Sequence, residues 1–474
     1  MGFASLWTLP AMVVSIAAMR WLPGAARTWA LVVASVAFYS ALDVAALLLV
    51  AAVVVVSWVG GTLLERRRSR LILTLAILGT LMPLALSKYA PWLVEVYRTG
   101  EWWRTSDLGA RGVAPGLAFL SLQAIGLLVD IWRGLITAER YVRNHVLFLM
   151  FFPQLIAGPI ERAASLRPQL LSPARPDADA FYRAGKLLLW GYTLKLCVAD
   201  ALASPIERWL RLPESEAPAG LVLALLLFSA RLYLDFYAYS CIAVALGAAH
   251  GIRLTQNFQN PFGAGSLTDF WRRWHISLST WLRDYVYQPL GGRREGVVRG
   301  VIAVLVVFLL SGLWHGAGFG FLIWGAFHGI GLVSERAASW LSFRTIGPVT
   351  YLRSRVLHCF GVLATGLFVS LAWLPFLAGP NFSLLLLASR LLNAIAGGLS
   401  TFDTAVRLVA TDWWMVCLGV TMTAFAHRME PWYWRRSPSN VRSVAADVVL
   451  TNALALSLLL FGSFGGRSFI YFAF

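Results

Sequence analysis

Two histidines stand beside tryptophans in very different surroundings. His275 lies in "DFWRRWHISLSTWLRDYVYQPL", among arginines, whereas His315 ends the almost uncharged run "VVRGVIAVLVVFLLSGLWH". A neutral imidazole, with an ordinary pKa of about 6.5, can take a proton from an attacking hydroxyl, and such help is typically worth about 10²- to 10⁴-fold in rate. If Val297–Trp314 is helical, a rise of about 1.5 Å per residue puts His315 roughly 24 Å from Arg299, the last charge before it. An ionisable group that far into an apolar stretch is costly and points to function. Asp235, in "RLYLDFYAYS", is a second charge at such depth, and Arg231 at i−4 reads as its neutralising partner.

At helical spacing, Trp271, Trp274, Leu278, Trp281 and Tyr285 form one stripe, and Arg272, Ser279 and Arg283 lie on another side. Asp269 pairs with Arg273 at i,i+4. The reading is one amphipathic interfacial helix. Its bland role is an aromatic anchor at the lipid surface. Its functional role is to meet a polyanionic ligand through Arg272, Arg273, Arg283, Arg293 and Arg294, because guanidinium forks match phosphate oxygens.

The elements that carry these residues are membrane spans. Of the 474 residues, 58% are hydrophobic and only 13% charged, far from the roughly 25% charged of a soluble domain. Asp43–Leu64, Leu71–Ser87, Leu221–Phe228, Val297–Leu310 and Val448–Phe461, alone or with their flanks, reach the roughly 20 residues that a bilayer core requires. We expect an all-α chain of about eleven to thirteen crossings or half-crossings, forming one domain over residues 1–474 without repeats. Met1–Ala18 has no basic residue before its apolar run, which predicts an uncleaved anchor with an external N-terminus. "ERRRSR" at Glu65–Arg70 and the region Arg253–Arg299 then fall inside, and the loops Glu95–Arg111 and Glu207–Glu216 outside.

The net charge of +17 is spread between spans, which fits anionic lipid contact and excludes a nucleic-acid surface. Cys197, Cys241, Cys359 and Cys417 are scattered, with no metal or disulfide spacing. HExxH, GxSxG and P-loop patterns are absent, so no metal is expected. "GAGFGF" at Gly316–Phe321 follows no strand, and its glycines read as helix-breaking or helix-packing residues beside a cavity.

"DFWRRWHISLSTWLRDYVYQPLGG" together with "LLSGLWHGAGFGFLIWGAFHG" resembles the signature of the membrane-bound O-acyltransferases, in particular the bacterial alginate O-acetyltransferase-like branch and its D-alanyl-transferring relatives. "SKYA" at Ser87–Ala90, "LVDIWRG" at Leu128–Gly134, "FFPQLIAGPIER" at Phe151–Arg162, "QNPFGAGSLTDFW" and the closing "FIYFAF" add to the likeness, which is densest over residues 235–330. The resemblance implies a ring of spans around a thinned central funnel in a bacterial inner membrane. It implies His315 as the catalytic histidine and His275 as its companion, with Trp271, Trp274, Trp314 and Asp235 along the substrate channel. Arg272, Arg273 and Arg283 would bind the donor, acetyl-CoA or an acyl-carrier thioester, with no tightly bound cofactor. The acceptor would be a polysaccharide or a periplasmic SGNH-type partner, D-alanylation of an envelope polymer being the alternative. Cys241 stands where relatives often carry an acid, and Leu128 where an aromatic is common. The residues alone also leave open a proton-coupled transporter with His315 as relay, against which the lack of a repeat weighs.

Overall fold

A computed structural model of the chain describes residues 8–100, 114–156, 158–292, 294–346, 355–378, 384–433, 441–464 and 469. Arg293, most of the expected external loop 95–111 and the closing motif beyond Phe469 lie outside these. The described residues fold into helices joined by short connections, and no strand occurs among them. Hydrocarbon offers no hydrogen bonds to an open backbone, so apolar runs of this length must satisfy their amides internally as helices.

Nine described helices are long and apolar enough to cross a bilayer, and two shorter apolar helices, Met12–Trp21 and Leu385–Gly397, accompany them. Four of the five apolar segments picked out above fall within one of the nine, and Asp43–Leu64 begins four residues before the Leu47–Arg66 helix. Burial sorts them into centre and periphery. In Ala178–Leu210 and Ala217–Ala249, 72% of the apolar window is buried, against 11% in Leu399–Ala426 and Ser443–Phe461. The first two are core staves, and the last two present their apolar sides outward, where a lipid tail is as good a neighbour as leucine.

The Ala217–Ala249 helix carries Asp235, and the structure gives this carboxylate a partner on another helix. Lys195, on a π-helical stretch Leu194–Ala199 of the neighbouring stave, sits 2.6 Å from Asp235 and 2.7 Å from Asp200. Lys195, Asp200 and Asp235 are all almost fully buried, so the pairing ties two staves together. A contact between helices so far apart in sequence is invisible to an i,i+4 rule. A second interhelical pair, Lys186 with Asp447 at 2.8 Å, fastens the peripheral Val441–Phe461 helix to the core.

After Ala249 the chain does not cross again until Val297. The intervening residues run as an extended segment, a short helix Leu267–Arg273, a second short helix Ile276–Leu282 and a π-helical turn Arg283–Tyr287. The single amphipathic helix expected over this stretch is therefore broken. His275 is the break, with φ 42° and ψ 55°, a left-handed conformation that costs a residue with a Cβ roughly 1–2 kcal/mol. The Asp269–Arg273 pair forms as expected, at 2.8 Å.

Val297–His315 and Phe319–Ile346 then make a helical hairpin. It is unusually close because it is glycine-lined. A Cβ on Gly312 would sit 2.2 Å from the Phe321 carbonyl oxygen, and one on Gly325 would sit 2.3 Å from that of Phe308. Small-residue seams of this kind let backbones touch where no water drives association. The glycine-rich turn thus both ends the His315 helix and packs it.

Candidate active site

His315 is the last residue of its helix, whose final carbonyls have no intrahelical donors. The "SKYA" segment supplies them. Lys88 Nζ donates to the Trp314 carbonyl at 2.8 Å and to the His315 carbonyl at 2.6 Å, and the Tyr89 hydroxyl donates to the Leu313 carbonyl. Lys88 lies on a π-helical bulge, Ala85–Tyr89, within the long Arg70–Thr99 span, and is 3% exposed. A cation at the negative end of a helix macrodipole is favourable, more so where water is scarce. Lys88 and Tyr89 were quoted in the sequence only as part of a resemblance; the signal that could have singled them out is a lysine deep inside an apolar span.

The His315 ring packs edge-on against Trp314, Trp324 and Phe376, with centroids 4.8, 4.9 and 5.4 Å away. Trp314 also meets His275, at 6.0 Å, and its indole donates to the Ala118 carbonyl at 3.2 Å. The two imidazoles, forty residues apart in the chain, therefore pack against one indole ring. Phe119 and Phe236, at 6.0 and 4.8 Å, complete the walls around His275. His275, Lys88 and His328 all lie within electrostatic range of His315. The structure brings together the two histidines that the sequence singled out.

The strained turn at His275 is held from the preceding extended segment. The Asn257 carbonyl accepts from the Ile276 amide at 2.9 Å, its side-chain oxygen accepts from the Ser277 hydroxyl at 2.6 Å, and Ser277 in turn accepts from the Ile160 amide at 3.0 Å. Asn257 is 1% exposed. Sequence reasoning missed it, because an asparagine in "TQNFQN" carries no spacing signal. Such residues persist in sparsely populated backbone regions only where surrounding contacts over-determine them. Asn257→Ala is expected to lower the thermal midpoint and cut activity while leaving His315 in place. An unchanged midpoint would remove Asn257 from this role.

His328, on the second helix of the hairpin, carries no spacing signal in the sequence either. It is 0% exposed and touches the rings of Trp271, Trp324 and Phe308 at 5.1, 4.9 and 6.1 Å. Among the described residues, neither of its ring nitrogens has a partner, nor do the indole nitrogens of Trp271 and Trp324. Buried polar groups are almost always satisfied by protein, by water or by ligand, so a group of orphans in one place marks a functional chamber. His328→Phe keeps the ring shape and removes the orphans. It is expected to hold or raise the melting temperature while cutting turnover at least about 10-fold, whereas lower stability with full turnover would make His328 a packing residue.

Of the other predicted site residues, Trp274 is fully buried, stacked on Phe270 at 5.4 Å and tilted against Trp373 at 5.4 Å. It is a core residue of the re-entrant segment. Asp235 belongs to the Lys195 cluster, and it is its neighbour Phe236 that faces His275. Arg273 is engaged by Asp269 and the Asn260 carbonyl. Arg272 and Arg283 remain exposed, Arg283 with Asp284 at 2.8 Å.

The π-turn that carries Arg283 is anchored to the Leu117–Arg133 helix and to the loop before Ala163. Tyr285 donates to Asp130 at 2.8 Å, Arg162 lies 4.5 Å over the Tyr285 ring and 3.0 Å from Asp284, and the Trp281 indole donates to the Leu122 carbonyl at 2.9 Å. Gly126 leaves room for that indole, since a Cβ there would lie 3.1 Å from the indole nitrogen. The arginine-bearing turn is thus held firmly, on the same segment between Ala249 and Val297 as His275. No group of metal-ligating side chains occurs among the described residues.

The family model for the membrane-bound O-acyltransferases matches residues 144–374, which span the re-entrant unit and both histidines. This part of the chain belongs to that family. It is 40% identical over 222 residues to a probable alginate O-acetylase AlgI of Pseudomonas putida, covering 47% of this chain and 45% of the relative. It is 36% identical over 239 residues to a peptidoglycan O-acetyltransferase of Helicobacter pylori, covering 50% and 44%. A teichoic acid D-alanyltransferase of Bacillus subtilis is 26% identical over 264 residues, covering 54% and 65%. The chain spans about half the length of the first two of these relatives. These relatives are named for three different polymers.

Proposed function

We propose that this protein is a bacterial inner-membrane O-acyltransferase. It moves an acyl group, acetyl in the first instance, from a cytosolic thioester to a hydroxyl of an extracytoplasmic polysaccharide or of a periplasmic SGNH-type partner enzyme. The observation that carries this reading is His315: a buried imidazole at a helix end fixed by Lys88, beside His275, in a chamber of orphaned polar groups. The alginate and peptidoglycan acetyltransferase relatives favour acetyl over D-alanyl transfer.

In the proposed reaction the acceptor hydroxyl gives its proton to the His315 imidazole as its oxygen bonds to the thioester carbonyl carbon. The tetrahedral oxyanion collapses, the carbon–sulfur bond breaks, and the leaving thiolate takes the proton back from the imidazolium. His275, the Trp271 and Trp324 indoles and His328 are the donors available to the oxyanion, in a site where pre-oriented dipoles need no reorganisation. The donor, acetyl-CoA or an acyl-carrier thioester, approaches past Arg272 and Arg283, whose forks suit its phosphates. No tightly bound cofactor or metal enters this scheme.

The direct test is thioester consumption: purified protein given acetyl-CoA and a polysaccharide acceptor should release free thiol in step with ester formation. A protein that moves protons or solutes across vesicles without consuming thioester would be a transporter instead. For the donor mouth, Arg272→Gln with Arg283→Gln is expected to raise the donor KM by about 10-fold or more, leave kcat near wild type and flatten the salt dependence of KM. An unchanged KM at low ionic strength would return these arginines to lipid contact.

A further inference from the structure

Away from the histidines, a cavity of about 570 Å³ opens between the N-terminal helix Thr8–Trp21, the chain after Ala249 and the start of the Ala178–Thr193 helix. Its lining divides cleanly by chemistry. Val13, Ile16 and Phe181 give an apolar wall, and Arg20, Arg27 and Arg175 give a basic one, with no acidic residue between them. Among the described residues, none of these arginines has a carboxylate partner; Arg27 donates only to the Leu22 carbonyl, at 3.2 Å. The remaining polar group, His250, is already satisfied by Ser15 at 3.1 Å and the Leu246 carbonyl at 2.7 Å. The volume is within the roughly 300–1,000 Å³ of small-molecule sites.

The cavity's place in the fold fixes its surroundings. The turn at Leu22 and Pro23 is followed by one crossing, Gly24–Leu42, and a return, Leu47–Arg66, so it lies at the same end of the bundle as Arg67 and Arg68. That is the arginine-rich end, which the positive-inside rule assigns to the cytoplasmic leaflet, where anionic lipids concentrate.

We propose that this cavity binds an anionic phospholipid, its phosphate held by Arg20, Arg27 and Arg175 and its acyl chains laid along Val13, Ile16 and Phe181. Three unneutralised guanidinium groups bordering an apolar wall match a ligand that is anionic at one end and hydrocarbon at the other. The site is independent of the acyl-transfer reading and would stand if that failed.

The experiment is native mass spectrometry of the delipidated full-length protein after adding back equal amounts of phosphatidylglycerol and phosphatidylcholine. Wild type should retain phosphatidylglycerol over phosphatidylcholine by at least about fivefold. The triple variant Arg20→Gln, Arg27→Gln, Arg175→Gln should approach parity, whereas Arg66→Gln, Arg67→Gln, Arg68→Gln, which removes equal charge at the same end, should keep the preference. Ala17→Trp, which fills the cavity without changing charge, should also lose it, so a folding failure in the arginine variant does not decide the matter. Inorganic phosphate at the same concentration should not displace the lipid. Equal retention of both lipids by wild type, an unchanged preference in the Ala17→Trp variant, equal loss at both arginine clusters or displacement by phosphate alone would each overturn the proposal.

Discussion

His315→Ala should lose acyl transfer by at least about 10²-fold while remaining a folded, membrane-inserted protein that still binds the thioester donor. The basis is geometric. His315 is 5% exposed, the wall around it is aromatic, and the nearby titratable side chains are Lys88, His275 and His328. Lys88 is committed to two backbone carbonyls, and the His275 ring packs against Trp314. Stability should change modestly, since alanine is a good helix former and Lys88 bonds to the backbone at this position, not to the imidazole. The measurement is thiol release and acceptor acylation by matched amounts of monodisperse wild-type and variant protein, with donor binding followed in parallel. Retained transfer would rule out His315 as the base. His315→Gln, which keeps a polar side chain of similar reach, should be as inactive as alanine if proton transfer is the role, and partly active if hydrogen bonding alone is.

The second large effect is expected at Lys88. Lys88→Met removes a side-chain donor from the Trp314 and His315 carbonyls, and a buried acceptor that loses its donor costs about 1–3 kcal/mol. Some of that is offset because an apolar side chain is easier to bury than an ammonium group. The larger consequence is positional: the last turn of the helix is free to fray, and His315 is its last residue. We expect kcat to fall by about 10- to 10²-fold with the donor KM little changed, and the melting temperature to drop by several degrees. Tyr89→Phe, which frees only the Leu313 carbonyl, should move in the same direction by less. Full turnover in a folded Lys88→Met protein would show that the helix end holds itself.

Both effects are read at residues whose importance was unequally visible in the chain. His315 stood out because an ionisable side chain after eighteen residues with a single charge is energetically conspicuous without any neighbour being known. Lys88 is just as deep, but it sits in "LSKYAPW" close to a charged stretch, where a lysine also reads as a snorkelling residue. Only the approach of the Val297–His315 helix shows what it does.

The tryptophans make the same point. A stripe of Trp271, Trp274 and Trp281 at helical spacing predicted one continuous face, yet the left-handed turn at His275 sends Trp274 into the core and leaves Trp271 beside His328. That turn depends on Asn257, eighteen residues earlier, and no local propensity of "RRWHIS" dictates it.

The class of solvent, the helical state of the long apolar runs and the two conspicuous histidines were legible in the chain. Each of these follows from local quantities: transfer free energy per residue, backbone hydrogen-bond satisfaction and the cost of isolated charge. What only the tertiary structure decided was partnership: Asp235 with Lys195, the His315 carbonyls with Lys88, His275 with Trp314 and the ring that both histidines share, and three arginines around one cavity. Those pairings join segments tens to hundreds of residues apart, and their free energy depends on distances between helices, a quantity with no counterpart in spacing along the chain.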